Sequence, residues 1–240
     1  TCALPICGRY LHWDQLRHRS PPAGFTAEEW WLGVKLFRFP LLRDLPLEDA
    51  AGKPFRFAAV DQVQRMLHQI DQRAAGRIAF PDALANPETR DRYIVSSLIE
   101  EAITSSQMEG ASTTRKVAAA MLRAGRPPSD PGEQMILNNY EAIQFVRSIK
   151  DRPLSPDDVL ELHRITTADT LDDPAAAGRL QEPGDERVAV IDRGTHTVLF
   201  NPPPADQLPA RLVRRCRFAN GEIPAGQFLH PVVRAVMLHF

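Results

Sequence analysis

The chain has 240 residues, 43% apolar and 25% charged, enough for one large or two small domains with a sizeable core. Its net charge of -1 gives no electrostatic reason for a nucleic-acid or anionic-membrane partner, and no apolar run is long enough to span a bilayer. The three cysteines, Cys2, Cys7 and Cys216, are odd in number and lack zinc spacing, so a reducing cytoplasm is the expected setting.

The chain starts at Thr1 with no charged leader or clean signal-peptide core. Truncation at both ends is expected, with Thr1 to Cys7 outside the native fold. Thr26 and Glu29 predict a capping box before Trp30, Trp31, Val34 and Phe37. Val63, Met66, Leu67 and Ile70 form a further helical stripe. Residues 1–85 therefore read as an N-terminal helical extension.

Later helices share one start signal, a polar cap followed by proline. Asn86-Pro87 opens a segment running to Met108, Asp130-Pro131 opens another with Glu133 completing a capping box, and Ser155-Pro156 opens a third. In the first, Ile94, Leu98, Ala102 and Ser105 fall at helical intervals, with Val95, Ile99 and Ile103 beside them. Ile136, Tyr140 and Ile143 line the second, and Leu208, Leu212, Val213 and Cys216 line a later helix closed by Gly221. His230-Pro231 starts a segment reaching Phe240. One region differs: Arg187 to Ile191 and Thr197 to Phe200 are β-branched and apolar around Asp192 to His196, which predicts a hairpin. Asn201-Pro202-Pro203-Pro204 ends it, because proline cannot extend a ladder. The fold class is mostly α with one β-hairpin.

The stretch Ser105-Ser106-Gln107-Met108-Glu109-Gly110 has two readings. In the first it is an ordinary helix end, with Gly110 as the left-handed cap and the serines bonding back to carbonyls one turn earlier. Against this, Glu109 places a carboxylate at the negative helix end, unfavourable by ~0.3–1 kcal/mol. In the second reading a cationic partner offsets that cost, an arginine by preference, because its fork matches a carboxylate.

The seven histidines form no metal motif. His163 reads as packed on its helix and His196 as a solvated loop residue. No dinucleotide, P-loop or serine-hydrolase motif occurs. Arg211, Arg214, Arg215 and Arg217 give a basic helix face, which is either solvated or a contact for a phosphate backbone.

In order, these elements resemble the Fic (Fido) family of protein adenylyltransferases. Ser105 to Gly110 is similar to that family's inhibitory-helix motif, Ser/Thr-x-x-x-Glu-Gly/Asn, in members with an N-terminal brake. Leu162-His163-Arg164 through Gly178-Arg179-Leu180 resembles the helix and loop ahead of the family's flap. Val188 to Phe200 with the triple proline resembles the flap itself, and His230 to Phe240 the helix leading to the catalytic loop. The segment Tyr10 to Phe39, with His12-Trp13-Asp14 and the Trp30-Trp31 pair, is similar to the N-terminal region of longer bacterial members. The resemblance implies a Fic-like helical bundle over residues 86–240, incomplete at its C-terminus, with a hairpin flap and an N-terminal helical extension.

It also implies site roles. Ser105, Glu109 and Gly110 would form the inhibitory end, with Glu109 occupying the arginine that grips the ATP γ-phosphate. Val188, Ala189, Val190, Ile191, Thr197, Val198 and Leu199 would dock a target segment main chain to main chain. The catalytic signature HxFx(D/E)GNGRxxR is absent and is expected within several residues after Phe240. ATP and Mg2+ are expected for a complete member, and the chain by itself is expected to be inactive. Its partners would be ATP and a protein hydroxyl, on a target or on the chain itself, with homo-oligomers allowed and no membrane or nucleic acid. The other reading is a non-enzymatic helical binding module or DNA-linked regulator, motivated by the basic face.

Overall fold

The computed structural model describes residues 11–74, 87–187, 189–192 and 194–239. The Cys2/Cys7 pair, the Asn86 cap and Val188 lie outside the described residues. In chain order the helices are α1 (Trp13–Leu16), α2 (Ala27–Arg38), α3 (Asp61–Ala74), α4 (Pro87–Met108), α5 (Arg115–Ala124), α6 (Pro131–Ile149), α7 (Pro156–Thr166), α8 (Leu208–Ala219) and α9 (Pro231–His239). The strands are β1 (Leu42–Glu48), β2 (Pro54–Ala58), β3 (Val190–Ile191) and β4 (Val198–Phe200). Among the described residues the fold is thus mostly α with two small antiparallel sheets. Among the described residues no helix is long and apolar enough to cross a membrane.

The chain divides into two compact units, residues 1–78 with 223–240, and residues 79–222. In the first, Leu11, Leu16, Trp30 and Val34 form a small buried cluster, with Trp13 and Trp31 packed against it. The Thr26 capping box forms as the sequence predicts: Glu29 N–H donates to Thr26 Oγ1 at 3.2 Å, and Thr26 N–H donates to Glu29 Oε2 at 2.8 Å.

The β1–β2 hairpin corrects the expectation of a single hairpin and of a purely helical N-terminal lobe. Pro46 and Pro54 argue against strands in the sequence. A two-stranded sheet has only edges, however, so a missing N–H is tolerated. The register pairs Arg43 with Phe57 and Asp44 with Arg56, and shifts between Asp44 and Glu48, the stretch holding Pro46. Asp49 Oδ1 closes the turn by accepting from the N–H groups of Ala51 and Lys53 at 2.8 and 2.9 Å.

Residues 223–240 group with this first unit, whereas the sequence reading placed them with residues 86–222. His230 is part of the reason. Its Nδ1 accepts from Val232 N–H at 3.2 Å at the start of α9, so Nε2 carries the proton and donates to the Asp71 carboxylate on α3 at 3.1 Å.

In the second unit Ile99, Ile103, Ala111, Ala118, Ala119, Met121 and Ile136 bring α4, α5 and α6 into one core. The inward face of α4 is Ile99, Ala102, Ile103 and Ser106, one residue beyond the stripe that included Ser105, and Val95 is 45% exposed. At the other end of the unit, Asn220 after α8 bonds both main-chain groups of Leu154, at 2.8 and 2.9 Å.

Two buried carboxylates start α6 and α7. Glu133, 1% exposed, takes a two-pronged Arg126 at 2.5 and 2.7 Å, together with the N–H and hydroxyl of Ser129 at 2.8 Å each. The predicted reciprocal box with Asp130 is only half formed. Asp130 caps Glu133 N–H at 2.9 Å, but the Glu133 side chain turns to Ser129 and Arg126, whose combined donors outnumber one cap N–H. Asp158 repeats the arrangement with Arg152 at 2.5 and 2.7 Å and the N–H and hydroxyl of Ser155 at 2.8 and 2.7 Å.

The Arg126 hydrogen bonds, then those of Ser129, hold the Glu133 carboxyl down from an ordinary 4.5 to about 2. The Arg152 fork, then Ser155, holds Asp158 below the usual carboxylate range. Both folded values are depressed. Their stabilisation is therefore present above the unfolded-chain value and is lost as pH falls through the folded one. Thermal melts of the wild type and Glu133→Gln should differ most at neutral pH. The gap should narrow between pH 4.5 and about 2; a gap constant with pH would contradict the assignment.

Candidate functional site

Helix α4 ends in a six-residue hydrogen-bonded motif that needs a residue of positive φ. Gly110 has φ +109, its N–H donates to Gln107 C=O at 3.2 Å, and Ala111 N–H donates to Ser106 C=O at 2.9 Å. Ala111 is then buried in the core, which fixes the direction in which the chain leaves the helix. A Cβ on Gly110 would meet nothing within 4 Å, so the glycine serves backbone conformation and not packing.

Ser106 is fully buried. Its hydroxyl donates to Ala102 C=O at 2.8 Å and accepts from Asn139 Nδ2 on α6 at 2.7 Å. Ser105, the serine singled out by the sequence motif, is half-buried and makes a 3.4 Å contact with Glu101. The support for this helix end therefore comes from Ser106, which the motif counts as a variable position. Asn139 carried no recognisable signal in the sequence, since its role depends on a partner 33 residues away. Gln107 Nε2 adds a bond to Thr113 C=O at 2.9 Å.

Glu109 is exposed, and among the described residues it makes no ion pair or side-chain hydrogen bond. Its neighbour Met108 is 84% exposed. The cation expected to offset a carboxylate at this helix end is not found among the described residues.

The hairpin is shorter than expected. Val190 pairs with Phe200 and Ile191 with Val198, with an irregularity between the two pairs. Thr197 lies outside β4, although its carbonyl accepts from Asp192 N–H at 2.9 Å, and Ala189 precedes β3 and is half-buried. Asp192 shapes the loop by accepting the N–H groups of Gly194 and Thr195 at 2.8 and 2.7 Å. Those bonds, with the Thr195 N–H first, lower its carboxyl pKa. His196 is exposed with φ +53, in keeping with a solvated loop residue. The ribbon presents Val190, Ile191, Val198, Leu199 and Phe200 to solvent, each 49–64% exposed.

The irregular approach to the hairpin is held by side chains. Gly178 N–H donates to His163 Nδ1 at 2.9 Å, and a Cβ on Gly178 would fall 2.9 Å from Arg164 Cβ, so only glycine fits there. Arg179 pairs with Asp185 at 2.6 Å. Arg187 donates to Gln181 Oε1 and to Pro203 C=O, joining the two sides of the hairpin base.

Ser105, Glu109 and Gly110 thus share one rigid helix end, and Ala189, Val190, Ile191, Thr197, Val198 and Leu199 share one ribbon. Among the described residues no hydrogen bond or ion pair joins the two. On α8, Arg214 and Arg215 are exposed, Arg211 bonds Gln207 at 3.2 Å, and Arg217 lies 3.9 Å from Glu222. In the first unit an open depression of about 590 Å³ is lined by Gln15, His18, Arg19, Ser20 and Trp30. Among the described residues no group of three or more His, Cys, Asp or Glu is placed to hold a metal ion, so Mg2+ is assigned to none of them. No protein-family model matches the chain, and no curated protein matches it.

The two serines should separate on substitution. Ser106→Ala leaves the half-buried Asn139 amide short of an acceptor and removes a fully buried hydroxyl, and should destabilise the protein by about 1–3 kcal/mol. Ser105→Ala should stay within about 0.5 kcal/mol. Denaturant unfolding of both variants measures this; equal losses would contradict the assignment.

Proposed function

We propose that this chain carries the brake and the target-docking ribbon of an autoinhibited protein adenylyltransferase of the Fic (Fido) family. Such an enzyme moves AMP from ATP to a Ser, Thr or Tyr hydroxyl: the hydroxyl oxygen bonds to the α-phosphorus, pyrophosphate leaves, and the hydroxyl proton passes to a base. In that family the base, the phosphate-gripping arginine and the metal-holding acid belong to the signature HxFx(D/E)GNGRxxR, which the 240 residues of this chain do not contain. No step is assigned to the residues of this chain beyond inhibition and docking.

What supports the reading is the order along the chain of the Ser105–Gly110 motif, the β3–β4 ribbon with its triple proline and the α9 start; Glu109 itself is exposed and unpaired among the described residues, so the guanidinium the brake requires would have to come from beyond them. A carboxylate so placed suits a guanidinium supplied from elsewhere, and while so engaged the guanidinium is withheld from a nucleotide γ-phosphate. Support also comes from the β3–β4 ribbon. A ribbon of two edge strands with exposed apolar residues on it suits addition of an extended segment by main-chain pairing.

The exposed Arg214 and Arg215 favour a second reading, a DNA-linked binding module. Under it, a gel shift with duplex DNA should weaken steeply as salt rises; no shift at moderate salt removes it.

The first reading is tested in a longer version of the chain that includes the signature. Glu109→Gly should raise self-labelling from α-labelled ATP by at least about tenfold, the equivalent of ~1.4 kcal/mol. An unchanged rate would discard the brake.

A further inference from the structure

Helix α2 is apolar on two opposite faces. At about 100° per residue, Leu32 lies about 160° from both Trp30 and Val34. Trp30 and Val34 are 7% and 6% exposed and form part of the first unit's core. On the other face Leu32 and Leu36 are 51% and 63% exposed, continued by Phe25 at 50% before the helix and Phe39 at 63% after it. One buried face is enough to hold a surface helix, so the second calls for another occupant.

The charges beside this face indicate which one. Glu28 and Lys35 are both exposed and make no ion pair among the described residues. They are seven residues apart, about two turns, and so lie along the same edge of the apolar face. The midpoint between them falls beside Leu32. Gly33 borders the face as well. Among the described residues a Cβ there would meet nothing within 4 Å, so none of them explains a glycine that costs a helix interior about 1 kcal/mol relative to alanine. Close approach of a second helix would explain it.

We propose that the Phe25–Leu32–Leu36–Phe39 face of α2 is the contact of a two-fold homodimer in which two copies of α2 pack antiparallel. A two-fold axis beside Leu32 sets Leu32 on its own counterpart and carries Leu36 and Phe39 toward the Phe25 end of the other helix. The same axis places Glu28 of each copy opposite Lys35 of the second copy, giving two reciprocal ion pairs at the rim. A two-fold parallel pairing would put the edges that carry Glu28 and Lys35 on opposite sides of the contact, so neither charge would meet its counterpart.

Sedimentation equilibrium of the 240-residue chain over a wide concentration range tests this. The wild type should be a monomer–dimer system. Leu36→Glu should be monomeric, with an unchanged circular dichroism spectrum because the side chain is exposed. Glu28→Lys and Lys35→Glu should each weaken self-association by at least about tenfold, since each sets like charges in both pairs. Mixed together, these two variants should associate as well as the wild type, because the heterodimer restores opposite charges at both positions. A wild type that stays monomeric would overturn the proposal. So would a dimer indifferent to Leu36→Glu, or single-charge variants that associate no better mixed than alone.

Discussion

The hydrogen bond from Asn139 on α6 to Ser106 on α4 sets the geometry of the second unit. At 2.7 Å, between a half-buried amide and a fully buried hydroxyl, it fixes the rotation of α4 about its own axis. Once Ser106 points inward, the helical step leaves little choice for its neighbours. Met108 lies about 200° away and faces solvent, and Ser105 and Glu109 fall together on one flank, about 100° and about 60° from Ser106. A slip of one residue would expose a hydroxyl that now satisfies two partners and bury a carboxylate with none. The next residue of α6, on the other side, turns to a different task. Asn138 donates to the carbonyls of Thr166 and Ala168 at 3.2 and 2.7 Å, satisfying the end of α7. Two adjacent asparagines thus place one helix on each side of α6.

The starts of α6 and α7 obey a shared logic. In each, an Arg-Pro-x-Ser sequence precedes the helix, and an acid in the first turn collects the serine N–H, the serine hydroxyl and the arginine fork. A buried carboxylate with that many donors is satisfied, and its charge also suits the positive end of the helix. The consequence is rigid loops. The segments 125–130 and 150–155, rich in proline and without regular structure, are pinned at both ends by one side chain each.

Much of this was legible from residue types alone. Proline and cap residues marked the starts of α6, α7 and α9, and glycine marked the ends of α4 and α8, because those signals are local. What could not be read depended on distant partners or on competition between near neighbours. The β1–β2 hairpin was hidden by Pro46 and Pro54, which weigh against a strand only where its edge is covered. Glu133 looked like a partner for its own cap until Arg126 and Ser129 offered more donors. Ser105 and Ser106 are indistinguishable in a motif; only the helix rotation set by Asn139 decides which of them is buried. The Arg-Pro-x-Ser repeat was visible in the sequence and could have been found by aligning the two helix starts.

That Glu109 is exposed bears directly on how a brake of this kind can work. A carboxylate already paired within its own helix would have to break that pair before engaging another guanidinium, and the exchange would leave little net gain. Pairing with a cation that also serves a nucleotide requires the acid to be held in place but uncommitted. The α4 end meets both conditions through separate residues: Ser106, Gln107 and Gly110 supply the rigidity, and none of their bonds uses the Glu109 side chain. Release of such a brake then needs no rearrangement of the helix core, only a competitor that binds the guanidinium better. Under the proposed brake, removing the acid would act on the inhibited state alone, so the role proposed for Glu109 and the stability from Ser106 would vary independently although they lie three residues apart.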